Sequence, residues 1–293
     1  MNYIVLDLEW NSAYHKKQGR FVNEIIQIGA VKLDDKFNII DTFLVYIKSE
    51  IVKKLNKRVI ELTGITNEQI ADGLSFQDAV IEYNKWLGSE INVTLTWSDS
   101  DLYAIVENSR LFLKEGISFR IDGYVDLQSY IQCELRLKGH NLTNQISLGN
   151  AAALLEISTE NFDLHNARDD ARLSALILKE NFNSDRFSKF VRLASDPSFY
   201  ERLFFKSYYI SNINDERINK NHLKFTCPQC NKRLKRGNRW KYKNNWLRSE
   251  LSCDFCGIRY RGMVSFKQTY DKLVVKKRIL PLVNNEVQNV TVQ

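Results

Sequence analysis

Proline is scarce in this chain, 3 of 293 residues, and no low-complexity tract or internal repeat interrupts it. Those absences exclude a proline-rich or collagen-like chain and a solenoid of stacked repeats. Long apolar runs are missing as well. The longest, such as residues 25–33, are broken by polar side chains and fall far short of the roughly 20 residues that cross a bilayer. Residues 1–10 lack the basic region and apolar core of a signal peptide. A cytoplasmic protein with no membrane partner is therefore expected. Cysteine is limited to 5 residues: two Cys-x-x-Cys pairs and Cys133, which reads as a buried helix residue without a role. In a cytosolic chain that pattern favours a metal over disulfides.

What is present is an ordinary globular composition, 44% hydrophobic and 26% charged, long enough for one domain and a smaller companion. Charge is unevenly placed. Residues 223–293 hold 16 Lys/Arg against 4 Asp/Glu, a net of +12, so residues 1–222 carry the remaining 26 basic and 31 acidic residues, a net of −5. A mildly acidic body with a strongly basic C-terminal quarter predicts a tail drawn to a polyanion.

Residues 3–9 (YIVLDLE) read as a buried strand. Residues 24–33 and 37–47 predict two more strands, joined by a turn at Asp34-Asp35. Short helices flank LTGIT (62–66), and the apolar spacing over 75–87 predicts a helix closed by Gly88. Further alternation follows: a strand at 93–97, a helix at 101–113, a strand near 119–127, and helices through 135, near 148–155 and over 169–181. The expected fold is α/β, a mixed sheet flanked by helices, with a small C-terminal module. Expected domains are 1–182, a helical linker over 183–222 with the boundary in the loop 211–221, and 223–293.

Asp7 and Glu9 stand two apart on the first strand, so both project from one face. Paired carboxylates on an apolar strand repel each other and are costly to desolvate, a cost that a hard divalent cation removes. Alone, such a pair also fits an exposed sheet edge. A third acid follows the strand at 93–97 in WSDSDL (97–102); Asp101, at the first helical turn, is favoured over Asp99, which suits a helix cap. In HNARDDA (165–171), Asp170 falls inside a helical pattern. His165, five residues earlier, has the titration range of a proton acceptor.

Taken in order, these segments resemble the DEDDh exonucleases of the DnaQ-like, RNase H-related superfamily, in its Eri-type and KapD-like branches. DLEWN (7–11) matches the first motif, Asp101 the second, and His165 with Asp170 the third. NEIIQIGAVKLD (23–34) and LTGIT resemble that family's hairpin and substrate-side turn. The resemblance covers about residues 1–182 and implies an RNase H-like fold. It further implies that Asp7, Glu9, Asp101 and Asp170 hold two Mg²⁺ or Mn²⁺ ions, that His165 deprotonates the attacking water, and that nucleoside 5′-monophosphates are released from a 3′ end. Leu62 and Ile65 are candidate contacts to the terminal nucleotide, or simply structural residues of the turn. RNA is favoured over DNA as the single-stranded substrate, although DNA proofreading and repair enzymes share the motifs. An inactive nucleic-acid-binding protein remains an alternative.

The cysteine pairs form Cys-x₂-Cys-x₂₂-Cys-x₂-Cys: Cys227, Cys230, Cys253 and Cys256. Four thiolates in two knuckles fit a closed structural Zn²⁺ site in a zinc ribbon. Between them, KRLKRGNRWKYKNNWLR (232–248) mixes cations with Trp240 and Trp246. Cations neutralise phosphates and exposed rings stack on unpaired bases, so both tryptophans are candidate nucleic-acid contacts; the alternative for one of them is a place in the ribbon's own core. Residues 280–293 could serve as a partner-binding tail but carry no recognisable signal.

Overall fold

Residues 2–282 are described by the structure, a computed structural model. Contacts divide the chain into two units, Met1–Leu203 and Phe204–Gln293. The last eleven residues of the expected ribbon, 283–293, and with them most of the candidate tail 280–293, lie outside the described residues.

The first unit begins with three antiparallel strands, β1 (Asn2–His15), β2 (Arg20–Leu33) and β3 (Ile39–Tyr46). Helices α1 (Lys57–Thr63), α2 (Asn67–Ala71) and α3 (Phe76–Leu87) lead to β4 (Asn92–Thr96), α4 (Ser100–Phe112) and β5 (Gly123–Asp126). There follow α5 (Leu127–Leu137), α6 (Leu148–Leu154), α7 (Ala167–Asn181), α8 (Ser184–Phe187), β6 (Arg192–Leu193) and α9 (Ser198–Phe204). The sheet order is β3-β2-β1-β4-β5-β6, with β4 parallel to both β1 and β5. This is the expected mixed sheet flanked by helices.

Period-two alternation along β1 builds both cores. Ile4, Leu6 and Leu8 face one way, packing with β2 and with α3 and α4; Val5 faces the other, toward α5, α6 and α7. Burying each such side chain contributes about 1.5–3 kcal/mol, and it leaves Asp7 and Glu9 on the α7 side by the same alternation.

β1 and β2 are longer than the apolar pattern predicts. Pairing continues past a bulge at Glu9/Trp10 to His15↔Arg20, and the chain reverses through a turn closed by Gly19 at φ 65. The extension alternates buried and exposed residues too sparsely to read as a strand, yet each residue finds a cross-strand partner. The expected linker also divides differently. Phe187, Phe190 and Val191 pack in the first unit's core and β6 pairs with β5, so residues 183–203 complete that unit. The polar spacing of 182–189 concealed α8, which hides a single large side chain, Phe187.

In the second unit β7 (Tyr208–Tyr209) pairs with β11 (Arg259–Gln268), and a 3₁₀ turn spans Lys220–Leu223. β8 (Lys235–Arg236) and β9 (Lys241–Lys243) both pair with β10 (Trp246–Ser252), while β12 (Leu273–Pro281) closes the sheet beside β11. Leu247, Leu251, Val264 and Phe266 fill its core together with Cys227 and Cys253. Among the described residues, no helix is long and apolar enough to cross a membrane.

Candidate active site

Three elements meet at β1. Across the β1–β2 ladder, Asp7 lies opposite Gly29 and Glu9 opposite Gln27. A Cβ at Gly29 would sit 2.2 Å from the backbone nitrogen of Arg168, so only a glycine lets the first turn of α7 rest on the strand. The buried Gln27 completes the joint: its Oε1 accepts a 2.9 Å hydrogen bond from the Ala167 N–H, one of the donors that a helix start leaves unpaired. The Asn166 side chain caps the same helix by accepting from Arg168 N–H at 3.2 Å. These contacts set Asp170 beside Asp7 and Glu9.

Asp101 arrives from the other side. The β1–β4 pairing ends at Val5↔Leu95, so β1 runs on past the end of β4, and Asp101 Oδ1 accepts from Leu8 N–H at 3.1 Å. Ser98, at φ 91, turns the chain into α4. That turn is held by Tyr124, whose hydroxyl lies 2.8 Å from Thr96 Oγ1 and donates to Ser98 C=O at 3.1 Å. Asp99 caps nothing with its side chain and lines a separate small cavity with Asp126 and Arg192. The geometry therefore separates the two candidate acids and puts Asp101, buried, against β1.

His165 precedes α7 at φ 69 with its ring exposed, and its backbone N–H donates to Asp170 Oδ2 at 3.2 Å. Ligand atoms of Glu9, His165 and Asp170 lie within 4.8 Å of one another. The neighbouring Asp169 plays a different part: Arg172 pairs with it at 3.3 Å, and it accepts from Asp163 N–H at 3.1 Å.

Electrostatics mark the cluster as unfinished. Burial, then repulsion from Asp170 and Asp101, pushes Glu9 up to about 8. Asp101 is pushed up to about 7, chiefly by burial, against the lowering pull of backbone hydrogen bonds. Asp7 is raised well above its ordinary value by burial and by Asp101, Asp170 and Glu9, and Asp170 is raised by burial. Among the described residues no Lys or Arg ion-pairs with any of these four acids, and Asp170 Oδ1 is buried without a hydrogen-bond partner. Hard oxygen donors at close range with an orphaned lone pair fit divalent cations of the Mg²⁺ class.

Of the candidate nucleotide contacts, Leu62 on α1 is exposed. Ile65 is corrected: it is 2% exposed, packed with Ile26, Leu55 and Ile70, and so anchors the turn from beneath. Trp240 is half-buried and stacks on Phe225 with ring centroids 6.2 Å apart. Trp246 carries the Arg278 guanidinium 5.1 Å above its ring.

In the second unit the four cysteine sulfurs lie within 4.8 Å of one another, with nearest pairs at 3.5, 3.6 and 3.7 Å. A disulfide would bring two of them to about 2.05 Å, whereas tetrahedral Zn–S bonds of about 2.3 Å set sulfurs about 3.8 Å apart. The two knuckles repeat one geometry. Asn231 N–H bonds to Cys227 C=O and Gly257 N–H to Cys253 C=O, both at 2.9 Å. Asn231 and Gly257 adopt φ 56 and 69, residue types that accept the left-handed region.

Together the sheet order and the acid cluster define a nuclease-type α/β unit. The model of the Exonuclease family (RNase T) matches residues 4–178, and the chain belongs to that family. The probable 3′-5′ exonuclease KapD of Bacillus subtilis (strain 168) is 28% identical over 107 residues, 36% of this chain and 51% of KapD. A PolC-type DNA polymerase III of Thermotoga petrophila is 26% identical over 176 residues, 60% of this chain and 11% of that protein. ERI1 exoribonuclease 2 of Homo sapiens is 26% identical over 203 residues, 59% of this chain and 27% of that one. The chain thus spans about half or less of the length of these relatives. Among solved structures, the nuclease domain of 3′hExo, a DEDDh family member bound to rAMP, superposes with a TM-score of 0.53 at 19% identity, covering 66% of this chain and 96% of that domain. At such identity the likeness is one of fold, and it agrees with the RNase H-like architecture expected from the motifs.

Sequence reasoning noticed the hairpin segment but gave no part to Gln27 or Gly29. An amide side chain set in an apolar run and a glycine inside a strand are the signals the sequence offers.

Proposed function

We propose that this protein is a metal-dependent 3′→5′ exonuclease that releases nucleoside 5′-monophosphates from single-stranded nucleic acid, RNA ahead of DNA. The observation that carries this reading is the meeting of Asp7, Glu9, Asp101 and Asp170 beside the His165 ring. Asp7, Glu9, Asp101 and Asp170 would hold two Mg²⁺ or Mn²⁺ ions, which supply an acidified water and positive charge at the departing 3′-oxygen. His165, on a loop and open to solvent, takes the proton from the attacking water and passes it to bulk. Leu62 offers an apolar surface to the terminal base. Cys227, Cys230, Cys253 and Cys256 would hold one structural Zn²⁺, and the sulfur spacing supports this.

The name of the human relative, an exoribonuclease, supports RNA; the polymerase relative supports a second reading, a DNA-directed proofreading or repair activity. A gel assay with 5′-labelled RNA and DNA separates them. With Mg²⁺ present, a ladder shortening from the 3′ end is expected, faster on RNA. His165→Ala should lower turnover by on the order of 10²-fold or more while keeping Mn²⁺ affinity within a few-fold. Binding without shortening would assign the chain to the inactive nucleic-acid-binding class instead.

A further inference from the structure

The second unit carries two neighbouring depressions, of about 890 and 540 Å³, that share Lys224, Phe225 and Arg233 in their walls. Lys220, Lys235 and Arg236 add to the larger one, and Lys277 and Arg278 to the smaller. All of these cations are exposed. No carboxylate lines either depression among the described residues, and one of the cations, Lys235, is ion-paired, with Asp254. The floor is aromatic and apolar: Phe225, Trp240, Leu234 and Leu251. Lys277 Nζ sits 4.5 Å above the Phe225 ring and donates to Lys224 C=O at 2.7 Å, which ties β12 to the strip between the depressions.

We infer that the two depressions form one continuous groove that binds the sugar-phosphate backbone of a single-stranded nucleic acid, with Lys224 and Arg233 at its centre. This rests on the exonuclease reading and deepens it, by placing the ribbon's grip on a particular face. That face differs from the pattern expected from the sequence, because Trp246 lines neither depression. Exposed cations around an apolar, aromatic floor suit a flexible polyanion whose phosphates meet the charges while its sugars and bases lie on the floor. A compact anion would need convergent donors at one point, and the cations here are divided between two depressions.

The test uses the full chain and a fluorescent 12-residue single strand, with Mg²⁺ and Mn²⁺ omitted and no chelator, so that the ribbon keeps its ion. Lys224→Glu with Arg233→Glu is compared with Lys241→Glu and Lys243→Glu, an equal charge change on the exposed β9, outside the groove. The groove pair should weaken binding by on the order of tenfold or more, and reduce the slope of log K against log salt by about 1–2. The β9 pair should stay within a few-fold of wild type. Equal loss in both pairs, or no loss in the groove pair, overturns the groove. So does an acidic peptide that competes as well as unlabelled oligonucleotide, which would assign the surface to a protein partner. Hydrolysis of a dinucleotide with Mg²⁺ is read on the same wild-type preparation, which should cleave it. Failure of wild type to cleave it would sink the exonuclease reading while leaving the binding comparison intact.

Discussion

Glu9 and Asp101 hold protons that ordinary carboxyls would have lost, because burial and neighbouring acids oppose their charge. The consequence for stability has a definite sign. A carboxyl whose pKa is higher in the folded chain than in the unfolded one stabilises the fold below the unfolded value, and that contribution disappears as pH rises through the folded value. For Glu9 the window runs from 4.5 to about 8, and for Asp101 from 3.8 to about 7. Without divalent ions, the first unit should therefore melt at a lower temperature at pH 8 than at pH 5.5. Adding Mn²⁺ at pH 8 should recover the difference, because a bound cation replaces the missing protons. Calorimetry at the two pH values, with and without Mn²⁺, checks this; a Tm independent of both would mean that the acids are not electrostatically coupled. At this scale the sequence was highly legible. Asp7, Glu9 and Asp170 could be chosen because acids inside apolar patterns are conspicuous, and Asp101 emerged over Asp99 by its helical phase. Ile65 stayed open between a substrate contact and a structural residue, since a turn residue facing inward and one facing a ligand look the same in a string of letters; its burial decides for the structural part.

Among the elements, the contact of α7 with β2 matters most. Gly29 admits the helix backbone and Gln27 binds its first N–H, so the position of Asp170 depends on a joint made 140 residues apart in the chain. Gly29→Ala should push the start of α7 off the strand. Forcing a methyl into a filled contact costs about 1–3 kcal/mol, roughly 2–4 °C of Tm for each kcal/mol in a unit of this size. Because the displaced helix carries Asp170, one of the four proposed ligands, Mn²⁺ affinity should fall along with Tm. A titration showing unchanged affinity in a destabilised Gly29→Ala protein would mean that Asp170 follows the cluster independently of this joint. Helices with strong apolar spacing, such as α3 and α7, were placed from sequence to within a few residues. The far half of the β1–β2 hairpin was not, because its strands are supported by pairing with each other more than by a buried face.

For the whole molecule, two units of opposite charge are built by different means. The first hides two cores on either face of its sheet. The second has one small core in which Cys227 and Cys253 take part, and a unit of that size needs a staple. Cys230→Ser should lower the Zn²⁺ content measured by elemental analysis from one ion per chain to well below one. It should also add an early unfolding step assigned to residues 204–282 while the first unit's transition stays in place. Full zinc retention, or a single transition moving as a whole, would refute a separate zinc-dependent unit.

The chemistry was legible in the order of residues: which acids are set in apolar strands, which histidine precedes which helix, and which cysteines are spaced as knuckles. Those are local properties, dictated by side-chain type and by periods of two and 3.6 residues. Convergence was settled only by folding. Gly29 against Arg168, Gln27 against Ala167 and Leu8 against Asp101 are contacts between segments far apart in the chain, where backbone approach and hydrogen-bond partners depend on how the strands and helices stack, and no spacing along the sequence encodes them.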